Sequence, residues 1–261
     1  MKKAVVKFSS EAGVTKSRMS LSRMFVLAIL AGFYLTFGAI ASTIGSCMIE
    51  NPSVAKIMSG LLFSPGLCFV IINGAELFTG NNLIIISVLD KKVEAFEMLR
   101  NWIVVYIGNF VGSVVISAIA VYGNAFACFE GQPGAAALST AAAKCSIAFG
   151  PALMKGILCN FLVCTAVMMA FSIDSAGTKF ICAILPVTLF VLCGFEHSIA
   201  NMGYVSTGLF LKAAGLGAEG ADAVSIAGFA LRNLIPVTVG NIIGGCGAGV
   251  IYWYSYIRKT D

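Results

Sequence analysis

The chain has 261 residues, of which 59% are hydrophobic and only 11% charged, where a soluble domain carries about 25% charged residues. Water cannot solvate this much apolar surface, so the composition excludes a soluble globule and points to a lipid bilayer as the solvent. The formal net charge of +5 does not imply nucleic acid, because most basic residues flank apolar runs.

The first 23 residues are polar and basic, with Ser9, Ser10, Ser17, Ser20 and Ser22 between the cations. This tail reads equally well as a short helix on an anionic membrane surface or as a solvated arm. The apolar run that follows is far longer than the about 7–15 residues of a leader's core, so it is expected to remain as a span. A helix needs about 20 apolar residues to cross a bilayer. Six runs qualify: about 24–48, 54–89 with an interruption at 73–81, 99–122, 147–171, 180–211 with an interruption at 194–201, and 227–257. The expected fold is therefore an all-α integral membrane protein, with a tail over 1–23 and one channel domain over 24–257.

Lysine and arginine set the orientation. Lys2, Lys3, Lys7, Lys16, Arg18, Arg23, Lys91, Lys92, Arg100, Lys179, Arg258 and Lys259 fall on one side, against Lys56, Lys144, Lys212 and Arg232 on the other. This excess places both termini in the cytoplasm, in the cell's inner membrane, with an even number of spans.

The two interruptions resemble each other. Gly74-Ala75-Glu76-Leu77-Phe78-Thr79-Gly80-Asn81 and Gly194-Phe195-Glu196-His197-Ser198-Ile199-Ala200-Asn201 share Gly, Glu and Asn at matching places, 120 residues apart. Gly108-Asn109-Phe110-Val111-Gly112 likewise echoes Gly240-Asn241-Ile242-Ile243-Gly244. Three spans is an odd number, so the second half enters the membrane from the opposite face. The expectation is two inverted three-helix repeats, about 24–125 and 146–257, with spans two and five broken. Broken backbone in lipid is tolerated only against protein or a water-filled cavity, and half-helix N-termini favour anions.

His197 is the only histidine and sits in the second break. An ionisable group at that depth is expensive, which favours a pore-lining, proton-handling role over a merely satisfied core donor. Glu76 and Glu196 occupy equivalent places. Proton relay is one reading; the favoured one is structural, each carboxylate capping backbone N–H groups that its break frees. Lys144 precedes span four and is read evenly as a surface lysine or as a residue that concentrates anions. Lys155 lies in an apolar run and needs water or a partner. Glycines 108, 112, 240 and 244 allow close helix packing, within a subunit or between subunits. Nine cysteines are scattered without metal-ligand spacing, so they read as small hydrophobes, and no metal or cofactor is expected. Cys128 and Cys145 both fall near an outer loop.

Together, the stretches 73–80, Lys155-Gly156-Ile157-Leu158-Cys159-Asn160-Phe161-Leu162-Val163-Cys164, 194–202 and Asn233-Leu234-Ile235-Pro236-Val237-Thr238-Val239-Gly240-Asn241 resemble the signatures of the formate/nitrite transporter family. The resemblance implies an aquaporin-like protomer with its own pore, assembled as a pentamer and passing small monovalent anions. It further implies hydrophobic constrictions at Leu67 and Phe190, with Thr79 facing His197 between them. Asn160 and Asn241 would line the passage, and Lys144 would attract anions. The basic Lys155 resembles the nitrite and hydrosulfide branches more than the formate branch. A neutral-solute or water pore is the weaker reading, because paired Asn-Pro-Ala motifs are absent. An intramembrane enzyme would need a nucleophile–base pair or a metal cluster, and the sequence shows neither Gly-x-Ser-x-Gly nor His-Glu-x-x-His.

Overall fold

The computed structural model describes residues 1–217 and 220–258. Lys259, counted above with the basic residues, lies outside them. Among the described residues every regular element is helical.

The amino-terminal segment is helical over α1 (Lys2–Lys7), a π-type turn (Phe8–Ala12) and α2 (Gly13–Arg18). It is neither a surface helix nor a free arm. Val5, Phe8, Ser9 and Ser17 are buried, and Phe8 meets the Phe171 ring edge-on at 5.4 Å. Ser9 donates to the Asp90 carboxylate and Lys16 to Glu76, each at 2.7 Å. The sequence hid this because the apolar positions are few and the docking surface is far away in the chain.

Span one is α3 (Leu21–Ser46). Span two starts as α4 (Pro52–Asn73), with Pro52 at its first turn and Asn51 Oδ1 accepting from the amides of Ser53 and Val54. The chain breaks over 74–77 and resumes as α5 (Phe78–Asn81), a 3-10 turn (Asn82–Ile84) and α6 (Ile85–Leu89). Span three is α7 (Ala95–Tyr122), opened by a reciprocal Glu94/Glu97 capping box. An alanine-rich helix, α8 (Gln132–Ser146), fills what the sequence left as connection. Then come α9 (Phe149–Phe171), α10 (Ala176–Leu192), a second break over 193–197, α11 (Ser198–Ala213) and α12 (Ile235–Tyr256), the last preceded by a π-type turn (Gly228–Leu234).

Both breaks are shorter than the sequence implied. Each has a glycine in the left-handed region at or next to its start, Gly74 at φ +68° and Gly194 at φ +66°, which stops the helix without strain. The backbone then re-enters a helix within a few residues. Among the described residues five helices are long and apolar enough to cross a membrane, and two shorter apolar ones, Phe78–Leu89 and Ala176–Leu192, flank the breaks. Large side chains such as Val26, Ile103, Ile119, Leu185 and Ile251 stay exposed on the outside, as a lipid solvent requires.

Two helix pairs pack through glycine. A methyl group on Gly112 would strike the carbonyl oxygen of Ile29, and one on Gly244 that of Ile157; Gly240 is likewise closed by Leu153 O. These contacts join α3 to α7 and α9 to α12 within one chain. Between the pairs, α4 crosses α10, where Ser64 Oγ donates to Ile184 O at 3.3 Å and Gly60 abuts Thr188. The amino-terminal helix and the end of α12 share one apolar cluster containing Phe8, Tyr252 and Trp253, so both ends of the described chain lie at the same end of the bundle.

A candidate anion pathway between the two breaks

Each break is held by an asparagine from a neighbouring helix. Asn109 Oδ1 accepts from Phe78 N at 3.0 Å, while its amide donates to Ala28 O and Glu76 O. Asn241 Oδ1 accepts from Ser198 N at 2.9 Å, while its amide donates to Gly156 O and Glu196 O. Each asparagine receives one amide freed by its break, and His197 Nδ1 receives a second at the other one; among the described residues neither the Glu76 nor the Glu196 carboxylate accepts from a backbone amide.

The two glutamates are held by side chains instead. Glu76 accepts from Lys16 Nζ and Asn81 Nδ2, both at 2.7 Å, and Asn81 also reaches Asn101. Glu196 accepts from Lys144 Nζ at 3.0 Å, Asn201 at 2.7 Å and Asn233 at 3.4 Å. Asn81 and Asn201 stand in the repeated octapeptide. Asn233 opens one of the stretches that carry the family resemblance, but nothing there assigns it a role; Asn101 escaped sequence reasoning, since a lone polar residue in a helix carries no visible pattern. Lys144 is thus an ion-pair partner at the edge of a cavity rather than a surface lysine; its ammonium also lies 5.4 Å from the Tyr204 ring centre.

His197 and Thr79 meet. Thr79 Oγ1 lies 2.9 Å from His197 Nε2, and both residues are buried. His197 Nδ1 accepts from Ala200 N at 3.1 Å, so it carries no hydrogen, and the proton of the neutral ring sits on Nε2 facing Thr79. The ring lies nearly parallel to that of Phe190, with centres 6.0 Å apart, and Phe190 packs edge-on against Phe63.

Two cavities approach this pair. One of about 560 Å³ is lined by Lys56, Lys144, Lys155, His197, Phe190, Glu196 and a row of hydroxyls including Ser42 and Ser59. Lys155, half-buried, therefore has the water access its position demanded. The other, about 170 Å³, is lined by Leu67, Leu77, Lys16 and Lys179 among others. Leu67 and Phe190 thus belong to different cavities; His197 lines the first, and Leu77 and Gly80, near Thr79 in the chain, line the second. Asn160 and Asn241 border neither cavity. Both are fully buried, and Asn160 Nδ2 lies near Thr79 O (3.2 Å), Asn82 Oδ1 (2.7 Å) and Asn241 O (2.7 Å). All nine cysteines are free; Cys128 is exposed, whereas Cys145 is buried with its thiol toward Ser225 O. Among the described residues no cluster of metal-ligating side chains occurs.

The formate/nitrite transporter family matches residues 3–254. The formate channel FocA of Escherichia coli K12 is 35% identical over 99% of this chain and 95% of its own length. A probable formate transporter of Methanothermobacter thermautotrophicus is 33% identical, over 94% of this chain and 92% of its own. Among solved structures, a pentameric formate channel with formate bound superposes with a TM-score of 0.81 at 37% identity, covering 91% of this chain and 98% of that one. An ion channel of the same family reaches 0.86 at 28% identity, covering 98% and 99%. These relatives are channels and transporters rather than enzymes, and with its helices long and apolar enough to span a bilayer this chain belongs to the formate/nitrite transporter family.

Proposed function

We propose that the protein is a membrane channel for the small monovalent anions of weak acids, nitrite, formate and hydrosulfide, with His197 handling the proton. The observation that carries this reading is the buried Thr79–His197 hydrogen bond beside two cavities with basic linings. Lys144 and Lys155 raise the local concentration of anions in the larger cavity. Phe190 and Leu67 serve as the two apolar constrictions, and each resists a bare ion because an unpaired charge in an apolar ring is heavily penalised.

The anion accepts a hydrogen bond from Thr79 Oγ1, whose own oxygen is occupied by the Nε2–H of His197. His197, charged by a proton from the water of the larger cavity, passes its Nε2 proton to the Thr79 hydroxyl, which gives its own to the anion; the neutral acid crosses the constriction and ionises beyond it, and the neutral ring is charged again from water. Charging His197 requires its Nδ1 contact with Ala200 to open first, since an imidazolium would set two N–H groups face to face. Asn160 and Asn241 act from behind the passage, holding the two breaks in register.

The finer architecture follows the same reading: six spans in two inverted repeats, about 24–125 and 146–257, an aquaporin-like protomer, and a pentamer like that of the solved formate channel. The paired Asn109 and Asn241 bonding patterns support the repeat. Both termini face the cytoplasm, by the distribution of Lys and Arg. A second reading, a proton-coupled secondary transporter of the same anions, uses the same residues and differs only in whether proton and anion movement are obligatorily linked. Uptake of the three anions, measured side by side in reconstituted vesicles, tests the proposal. Thr79→Val is expected to abolish most uptake of all three, and unchanged uptake would contradict the assigned centre.

A further inference from the structure

Asn82 is placed in none of the roles above, yet it is hydrogen-bonded to Asn160, part of the scaffold behind the site. It opens the 3-10 turn three residues after Thr79 and is fully buried. Its Oδ1 accepts from Asn160 Nδ2 at 2.7 Å. Asn160 has two amide hydrogens and three acceptors, and the two at 2.7 Å are Asn82 Oδ1 and Asn241 O. Asn241 in turn grips the residues on both sides of His197, through Glu196 O at 3.0 Å and Ser198 N at 2.9 Å. A continuous strut, Asn82–Asn160–Asn241, therefore runs from the turn carrying Thr79 to the break carrying His197.

The strut is built once. In the other half Asn109 performs the work of Asn241, with the same three kinds of partner. The paired contacts fix the correspondence between halves: Glu76 with Glu196 is 120 residues apart, and Ala28 O with Gly156 O is 128. By those offsets Asn82 corresponds to Met202 and Asn160 to Gly32, so the counterpart of the strut, which would end on Asn109, lacks both other polar members. Symmetry of the repeat does not require Asn82.

Two further observations show that its orientation is imposed. Asn82 Nδ2 is buried without a hydrogen-bond partner. Turning the amide over would satisfy nothing, because it would set an NH₂ group against the NH₂ of Asn160. A buried donor left open is costly, and it persists where the surrounding contacts fix the geometry. Gly245 supplies the room: a Cβ there would lie 2.7 Å from Asn82 Cβ and would overlap Asn160 Nδ2.

We infer that Asn82 is a positioning residue that sets the separation of Thr79 Oγ1 and His197 Nε2 through Asn160 and Asn241. The inference rests on the reading of Thr79 and His197 as the transport centre. Because the chain has one histidine, ¹⁵N-histidine labelling of the full-length protein in lipid nanodiscs yields one ring spectrum. Asn82→Ala is expected to move the Nε2 resonance and leave Nδ1, which Ala200 holds, in place. Gly245→Ala, which displaces the strut from the other side, is expected to move Nε2 in the same direction. Asn82→Asp keeps an oxygen toward Asn160 and is expected to leave the spectrum as in the parent. In vesicles, Asn82→Ala should lower maximal nitrite uptake about tenfold while changing the half-saturating concentration less than about twofold, as loss of orientation without loss of binding does. An Nε2 resonance unmoved by both alanine substitutions, or moved equally by Asn82→Asp, overturns the inference. If Nε2 answers to Asn82 but uptake proves independent of His197, the positioning stands and the transport reading fails.

Discussion

Glu196 and Glu76 look alike in sequence, yet their surroundings predict unequal consequences when each is neutralised. The Lys144–Glu196 pair is mostly buried on both sides, with side chains 14% and 10% exposed. In the Lys16–Glu76 pair the lysine is 24% exposed, so water already shares its charge. Breaking a buried pair leaves an uncompensated charge and costs about 3–5 kcal/mol. Glu196→Gln should therefore lower the thermal midpoint of the detergent-solubilised protein more than Glu76→Gln, and the reverse order would contradict the burial argument. Lys155 invites a different test, because it faces the larger cavity with no carboxylate within ion-pair distance among the described residues. In the proposed function its charge raises the concentration of anions near the site. Lys155→Met should raise the half-saturating concentration a few-fold, an effect that fades as salt rises and the screening length falls below about 10 Å. A change in maximal uptake alone would assign Lys155 another role.

At the scale of elements, close backbone approach governs which helices pair. Gly112 and Gly244 each let the neighbouring helix in to the point where its carbonyl oxygen occupies the space of a methyl group. Gly112→Ala and Gly244→Ala should each destabilise by about 1–3 kcal/mol, the usual cost of overpacking, and a thermal scan of each variant checks this. Spans and breaks were legible in the sequence because apolar length and the Gly–Glu–Asn repeat are local signals. Helix α8 and the docking of α1 and α2 were not. An alanine-rich amphipathic stretch resembles a connection when read alone, and the contacts of Phe8, Ser9 and Lys16 depend on residues about 60 to 160 positions away. The glutamates were found, but the pairing of Glu196 with Asn233 and of Asn81 with Asn101 was not, for the same reason.

Across the whole molecule, the proposed repeat assigns the frame to matching residues and the chemistry to unmatched ones. Asn109 and Asn241 make matching hydrogen bonds at the two breaks, and Lys16 and Lys144 each pair with a break glutamate. At the offset of 120 residues His197 matches Leu77, Thr79 matches Ile199 and Asn82 matches Met202, so the contact of Thr79 with His197 has an apolar counterpart. This asymmetry was visible in the sequence as a lone histidine against a threonine; its completion by Asn82 and Asn160 needed the fold. The account stands or falls on whether that centre controls anion passage. The most direct measurement is uptake of nitrite, formate and hydrosulfide against pH in vesicles containing the parent protein or His197→Asn. The account predicts that the parent's uptake rises as pH falls toward the pKa of each acid and that the substitution abolishes this dependence. The same pH profile in both proteins would contradict it.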